Sequence, residues 1–263
     1  MSYVEVSVPR LAISLVFIAI AVFVSARLRL GLGSSLAVGA MRAAVQLVAI
    51  GYFLVFLFAH DQAWMVLALL LAMLVVAAIT SARRLEHGPP ARVLVVYALA
   101  AIGGGAAVAL VPVFCFIVVP HPWFEPRYLV PISGMMLSSA MNVVAQVFER
   151  IFASARTERA SIEQLLALGA SSAQALQMQT RSALRAALIP TINGLVTVGL
   201  VALPGMMTGQ ILSGADPEQA VRYQIVIMYQ LVAVAAVSGT LSALFARRML
   251  FTAREQLREY GAK

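Results

Sequence analysis

Apolar positions along this chain run together instead of alternating with polar ones. Seven long apolar stretches stand out, at about 8–26, 36–59, 63–80, 92–119, 128–147, 187–207 and 222–246. Between them lie segments at 27–35, 60–62, 81–91, 120–127, 148–186 and 208–221, followed by a tail from Arg247. A helix of roughly 20 apolar residues crosses roughly 30 Å of hydrocarbon. Backbone in lipid must satisfy its own hydrogen bonds, so each stretch is expected to be a helix. The pattern therefore predicts an all-α membrane protein of about seven transmembrane helices, forming a single transmembrane domain over residues 1–263. The first stretch has a second reading: Leu11–Val24 followed by Ser25-Ala26 resembles a signal-peptide core and cleavage site. Its basic residues follow the apolar run instead of preceding it, so it is read as a retained span.

Composition agrees. The chain is 62% hydrophobic and 11% charged, against about 25% charged in an ordinary soluble domain. A net charge of +8 on a soluble protein would suggest nucleic acid. Here the arginines serve topology instead, and no nucleic-acid partner is expected. Fifteen of the nineteen basic residues fall on one set of alternate loops: Arg27, Arg29, Arg83, Arg84, Arg92, Arg150, Arg156, Arg159, Arg181, Arg185, Arg247, Arg248, Arg254, Arg258 and Lys263. Arg10, Arg127 and Arg222 fall on the other. The positive-inside bias places the N-terminus outside and the tail in the cytoplasm of a cell inner membrane.

The segment 148–186 is too long and too patterned for a simple connector. Ser161 with Gln164 offers a capping box, Gly169 a helix stop, and Ile162, Leu165 and Leu166 a single apolar face. Ser171 with Gln174 offers a second capping box, opening a helix that runs toward Pro190. A short amphipathic helix in the cytoplasm needs a surface to cover its apolar face, from this chain or from a partner. Glu163 on it can meet a basic partner surface, or can pair with Arg159 one turn earlier for about 0–1 kcal/mol.

Several chemistries are excluded. Lys263 is the sole lysine, so the chain holds no lysine-bearing phosphate loop for ATP and no intramembrane Schiff base. His60, His87 and His121 lie between spans without partners at metal-ligand spacing, and no histidine at membrane depth supports a serine hydrolase. The chain is expected not to be an enzyme and to carry no cofactor. Cys115, the one cysteine, reads as core packing.

Polar residues inside spans are the remaining candidates. No span contains an acidic residue. Arg42 is the one charge away from a span's ends, and its roles are gating or snorkelling to headgroups. Gln46, one turn deeper on the same face, extends it into a polar stripe. Asn142 and Gln146, one turn apart on the fifth span, are suited to an interhelical hydrogen bond or to a pathway. Pro204-Gly205 interrupts the sixth span just before Met206, Met207, Thr208 and Gln210. That interruption is either irregular backbone facing a cavity or the outer end of a helix. Met135-Met136 and Met206-Met207 offer thioethers but mostly pack. Asp216-Pro217 reads as an N-cap with proline at N1, opening the last helix.

The second half carries recognisable residues: P-I-S-G-M-M at 131–136, I-E-Q-L-L-A-L-G-A-S at 162–171 and R-A-A-L-I-P-T at 185–191. L-P-G-M-M-T-G-Q-I-L-S-G-A-D-P at 203–217 and A-V-R-Y-Q-I at 220–225 follow. This resembles the Fet-type family of ABC permeases, which includes bacterial iron-export permeases and a plant aluminium-tolerance relative, over roughly residues 36–250. The resemblance implies a permease working as a homodimer with a separate ATP-binding subunit, and metal export with iron as the first expectation. It also implies a coupling segment similar to the E-A-A…G loop of importer permeases, with Ile162, Glu163, Leu165, Leu166 and Gly169 carrying the coupling. Glu163 and Gly169 are six apart as in that loop, while Pro190 lies further downstream. Arg42, Gln46, Asn142, Gln146 and the 204–210 residues would line or gate the path. No metal ligand is assigned, because hard cations prefer oxygen ligands and carboxylates are missing from the spans. The rival reading is a secondary transporter or membrane scaffold with no ATPase partner. An ion-driven carrier would ordinarily show an intramembrane carboxylate.

Overall fold

A computed structural model describes residues 7–60, 62–85 and 87–260. Lys263, counted with the tail, lies outside them. The chain divides into two compact units, 1–61 and 62–263. Among the described residues there are no strands; isolated bridges join Val198 to Ala202 and Phe251 to Leu257. Six helices among the described residues are long and apolar enough to cross a membrane.

In the first unit, α1 (Val8–Ile13) and α2 (Leu15–Arg27) run into α3 (Gly33–His60). Ser14 sits between α1 and α2, its hydroxyl donating to Leu11 O at 2.6 Å. The α2–α3 turn is held by Ser25. Its backbone carbonyl accepts from Leu30 N at 2.9 Å, and its buried hydroxyl accepts from Leu32 N at 3.1 Å. The residue read as one side of a cleavage site is thus a turn anchor. Apolar side chains such as Phe17, Phe23 and Tyr52 point outward, as a lipid-facing surface requires.

The second unit comprises α4 (Ala63–Arg83), α5 (Ala91–Pro112), α6 (Pro126–Thr157), α7 (Arg159–Ala167), α8 (Ser172–Ala175), α9 (Gln177–Thr197), α10 (Gly205–Leu212) and α11 (Pro217–Leu250). Helix α11 packs against α5, α6, α9 and α10. Its contact with α5 is made by small residues, which let backbones approach closely where lipid offers no hydrophobic drive between helices. Ala98, Ala101, Gly105 and Ala109 of α5 and Ala235, Ser238, Ser242 and Ala246 of α11 are all buried, and Gly105 lies directly against Ser238. Gln230 crosses the same seam, donating to Ala109 O at 3.1 Å. Pro112 has no N–H to continue the α ladder, and the chain widens into a π turn over Val113–Ile117. Cys115, read as core, is exposed on that turn, which rotates it off the packed face.

Two expectations change. The segment 148–186 holds the helices its caps indicated, α7 and the α8–α9 run toward Pro190, but α6 also continues into it as helix to Thr157. At 32 residues, α6 is about 48 Å long, longer than a bilayer core needs. The apolar reading stopped at the first charges, Glu149 and Arg150, but charges do not end a helix that has left hydrocarbon. The sixth span, expected as 187–207, is broken as well. Helix α9, in the stretch expected to run from the Ser171 cap toward Pro190, starts at Gln177, passes through Pro190 and stops at Thr197. With Gln177, Gln179, Arg181 and Arg185 it is not among the six helices apolar enough to cross. Gly199 takes φ +82°, a conformation that side chains resist and that turns the chain out of the helix. Pro204 then precedes α10 as its N-cap residue. The start of α11 is as read, with the Asp216 carboxylate accepting from Glu218 N at 3.2 Å and proline at N1.

The tail is not a loose polar end. Phe251 is buried, Arg258 N donates to Leu250 O at 2.7 Å, and the Tyr260 hydroxyl donates to Met249 O at 2.6 Å. Leu257 and Tyr260 pack on the core of the unit, with the Tyr260 ring edge-on to Phe152.

Candidate functional site

Two adjoining cavities run along α11. The first, about 330 Å³, lies between Asn142 and Gln146 of α6, Pro190 and Thr191 of α9, and Met228 of α11. The second, about 470 Å³, is bounded by Gly199, Leu203, Pro204 and Met207 on the broken side and by Gln224 and Met228 of α11. Met228 lines both, so the two cavities adjoin at that side chain along one groove face of α11. The helix break makes its wall: had α9 continued straight, the 198–204 backbone would have been sealed in helix. Instead Thr197 O accepts from Val201 N at 3.0 Å, and Gly199 N donates to Ala202 O at 3.0 Å.

The groove gathers Asn142, Gln146, Pro204 and Met207 of the expected residues. The other four from that stretch do different jobs. Gly205 opens α10, Met206 packs on the core and the Thr208 hydroxyl donates back to Pro204 O at 3.0 Å. Gln210 is partly buried, with an Oε1 that meets no hydrogen-bond partner among the described residues. Met136 is fully buried and Met135 packs beside it, so neither thioether reaches the groove. Arg42 and Gln46 belong to the first unit, where both are exposed along α3.

Gln224 was not singled out from the sequence, yet it is only 6% exposed and its Oε1 has no partner among the described residues. A buried amide oxygen without a partner carries a desolvation cost of about 1–3 kcal/mol. The A-V-R-Y-Q-I motif contained it, but its position about two turns past the start of α11 gave it no periodic partner. No charged side chain lines either cavity. No group of three His, Cys, Asp or Glu side chains able to hold a metal occurs among the described residues. The donors the groove offers are neutral amide, hydroxyl and thioether groups.

The expected coupling residues sit on α7. Ile162 is fully buried, so it anchors the helix to this chain's own core and does not fill a partner's groove as expected. Leu166 packs partly on that core, whereas Leu165 is 42% exposed and Leu168, just past the helix, is 84% exposed. Glu163 accepts from Arg159 Nε at 2.8 Å, and the same guanidinium donates to Glu259 at 3.1 Å. Gly169, at φ +89°, ends α7 with paired bonds, Gly169 N to Leu166 O and Ala170 N to Leu165 O, each 3.0 Å. This is the left-handed glycine stop the sequence indicated.

Of the two capping boxes, the second forms: Gln174 N donates to the Ser171 hydroxyl at 3.4 Å and Ser171 N to Gln174 Oε1 at 2.9 Å. The first does not. Helix α7 starts at Arg159, directly after α6, so Ser161 lies inside its first turn and Glu158 occupies the cap position without a side-chain cap. The Glu158 carboxylate instead accepts from Gln179 Nε2 at 2.7 Å, tying the α6–α7 junction to α9.

Residues 8–251 match the family described as Uncharacterised protein family (UPF0014). A UPF0014 membrane protein of Synechocystis is 37% identical over 216 residues, 82% of this chain and 83% of its own length. The probable iron export permease protein FetB of Escherichia coli is 32% identical over 247 residues, 94% of this chain and 93% of its own. The Arabidopsis thaliana protein ALUMINUM SENSITIVE 3 is 33% identical over 250 residues, 95% and 89% respectively. No solved structure matches. With the match spanning nearly the whole chain and these relatives aligned over most of their length, the chain belongs to the UPF0014 family of membrane proteins.

Proposed function

We propose that this chain is the permease subunit of an ABC transporter that exports a metal ion such as iron, driven by a separate ATP-binding subunit. The observation that carries the reading is α7, a short helix closed by a left-handed glycine. It lies beyond the membrane-length part of α6 and leaves Leu165 and Leu168 exposed beside charged residues. Apolar side chains held outward in that setting are a docking surface for another protein. The name of the Escherichia coli relative favours iron as the cargo. In this reading the permease is a single domain in the cell inner membrane and works as a homodimer. It crosses the membrane seven times, with the N-terminus outside and α7 and the tail in the cytoplasm. The seventh crossing is completed by α9 and the 198–212 segment. The chain itself is not an enzyme, because ATP is hydrolysed on its partner.

The cargo passes along the groove between α6, α9 and α11. Its oxygen donors are neutral, from Asn142, Gln146, Thr191 and Gln224. Oxygen suits a hard cation, but without carboxylates the site binds weakly, so the ion keeps part of its water or a small chelating ligand. The test is metal-stimulated ATP hydrolysis by the complex purified gently from native membranes and placed in liposomes, with Leu168→Asp as the uncoupled variant. We expect ferrous iron to raise hydrolysis several-fold in the wild type and Leu168→Asp to abolish that stimulation. Hydrolysis that no metal ion alters would refute metal export. The absence of any associated ATPase in several mild detergents would refute the ABC assignment and revive the carrier or scaffold reading.

A further inference from the structure

We infer that the folded-back C-terminal segment, Arg254–Leu257, forms the second wall of the surface on which the ATP-binding subunit docks, facing α7. The inference rests on the ATPase-coupled reading above and adds the residues that share the contact and the chemistry of the partner's face. Between α7 and the segment lies a cleft of about 650 Å³, lined by Glu163, Leu166 and Gly169 on one side and by Arg254, Gln256 and Leu257 on the other. The segment is fixed to the coupling helices. Glu255 accepts from Ser172 N at 2.8 Å and from the Ser172 hydroxyl at 3.4 Å, at the start of α8. Arg159 joins Glu163 of α7 to Glu259, two residues past the segment. Any force on α7 or α8 therefore also reaches residues 255–259.

Charge identifies the occupant's face. Leu165, Leu168 and Met178 are exposed next to Arg159, Glu163 and Arg181. So many charges exclude lipid tails from this surface, and the apolar groups there await protein. At the cleft mouth both carboxylates are committed, Glu163 to Arg159 and Glu255 to Ser172. Arg254 is exposed and makes no ion pair with any described residue. The uncommitted charge is positive. The ATP-binding subunit thus enters with an apolar side chain over Leu166 and Leu257 and a carboxylate opposite Arg254. Sequence patterning gave no sign of this, because the segment read as a polar tail.

The test uses the full-length tagged protein and the ATP-binding subunit recovered with it from native membranes. That subunit is identified by mass spectrometry of its phosphate-loop peptide and by ATP hydrolysis. Arg254→Glu, Arg254→Gln and Leu168→Asp are compared with wild type, each checked for an unchanged melting temperature in detergent. We expect Arg254→Glu to lower retained ATPase at least tenfold. Retention by the wild type should fall with rising salt, and Arg254→Gln should flatten that dependence. A photo-crosslinker on Gln256→Cys in a Cys115→Ala background should trap the ATPase. If Leu168→Asp loses the ATPase while both Arg254 variants keep it and residue 256 does not crosslink, the segment is no part of the interface, although the permease assignment survives. If Arg254→Glu instead weakens only binding to vesicles containing phosphatidylglycerol, the rim faces lipid and the inference is overturned. If the wild type retains no ATPase, the inference falls together with the reading beneath it.

Discussion

A methyl group added at Gly105 should force α5 and α11 apart. A Cβ there would lie 1.9 Å from Ser238 Oγ and 3.1 Å from both Cβ and N of Ser238. Carbon and oxygen seldom approach within about 3.3 Å, so the first contact is short by roughly 1.4 Å. Turning the hydroxyl away relieves only that contact. The two at 3.1 Å remain, one of them to backbone, and the flanking Ala101, Ala109, Ala235 and Ser242 are buried with no flexible side chain to yield. Overpacking a tight core costs about 1–3 kcal/mol. The absence of slack puts Gly105→Ala in the upper part of that range, equivalent to roughly 30- to 150-fold in a folding equilibrium.

The assay is thermal unfolding in detergent, followed by loss of the monodisperse peak, with two companions. Gly103→Ala is the control, since its Cβ would meet only Leu74 side-chain atoms at 3.6 and 3.9 Å, and it should melt with the wild type. Ser238→Gly removes Oγ and Cβ and leaves only the backbone N at 3.1 Å, so the double variant should regain a large part of the loss, less about 1 kcal/mol for a second helix glycine. If Gly105→Ala melts with the wild type, or Ser238→Gly fails to rescue it, the two helices do not meet through this pair.

Other outcomes follow from the groove and the α7 stop. Gln224→Leu removes a buried, partnerless oxygen, so protein stability should hold or rise by about 1 kcal/mol. Metal-stimulated hydrolysis in liposomes should nonetheless fall several-fold; unchanged stimulation would take Gln224 out of the path. Gly169→Ala meets no atom within 4 Å but must hold φ +89°, which costs about 1–2 kcal/mol. Amide exchange over residues 159–176 should therefore quicken, and Gly169→Asn should recover part of the protection because asparagine tolerates that conformation; equal exchange in all three would show the stop is dispensable.

Apolar run length alone placed five of the helices to within a few residues, because hydrocarbon imposes one rule on every backbone inside it. That rule lapses beyond the apolar run, where patterning missed the continuation of α6 past Phe148. The Gly169 stop and the Ser171–Gln174 box were legible because caps are local chemistry. Ser161 offered the same signal, but the helix had already begun at Arg159. The break in the sixth span was visible at Pro204, although the turn itself is made by Gly199. Gln224 and the fold-back of Leu257 and Tyr260 were not legible, since both depend on contacts between distant parts of the chain.

Helix α6 joins the two regions in one rigid piece. From Asn142 in the groove to Glu158 at the α7 junction there is no proline or glycine, so the stretch of about 24 Å behaves as a rod. The Glu158–Gln179 bond pins its far end to α9. Pivoting about that end, a tilt of only about 5° would sweep Asn142 sideways by about 2 Å, close to the width of a dehydrated cation's coordination bond. A lever of this kind needs no soft joint: a small push on α7 would be enlarged into opening or pinching of the path by length alone.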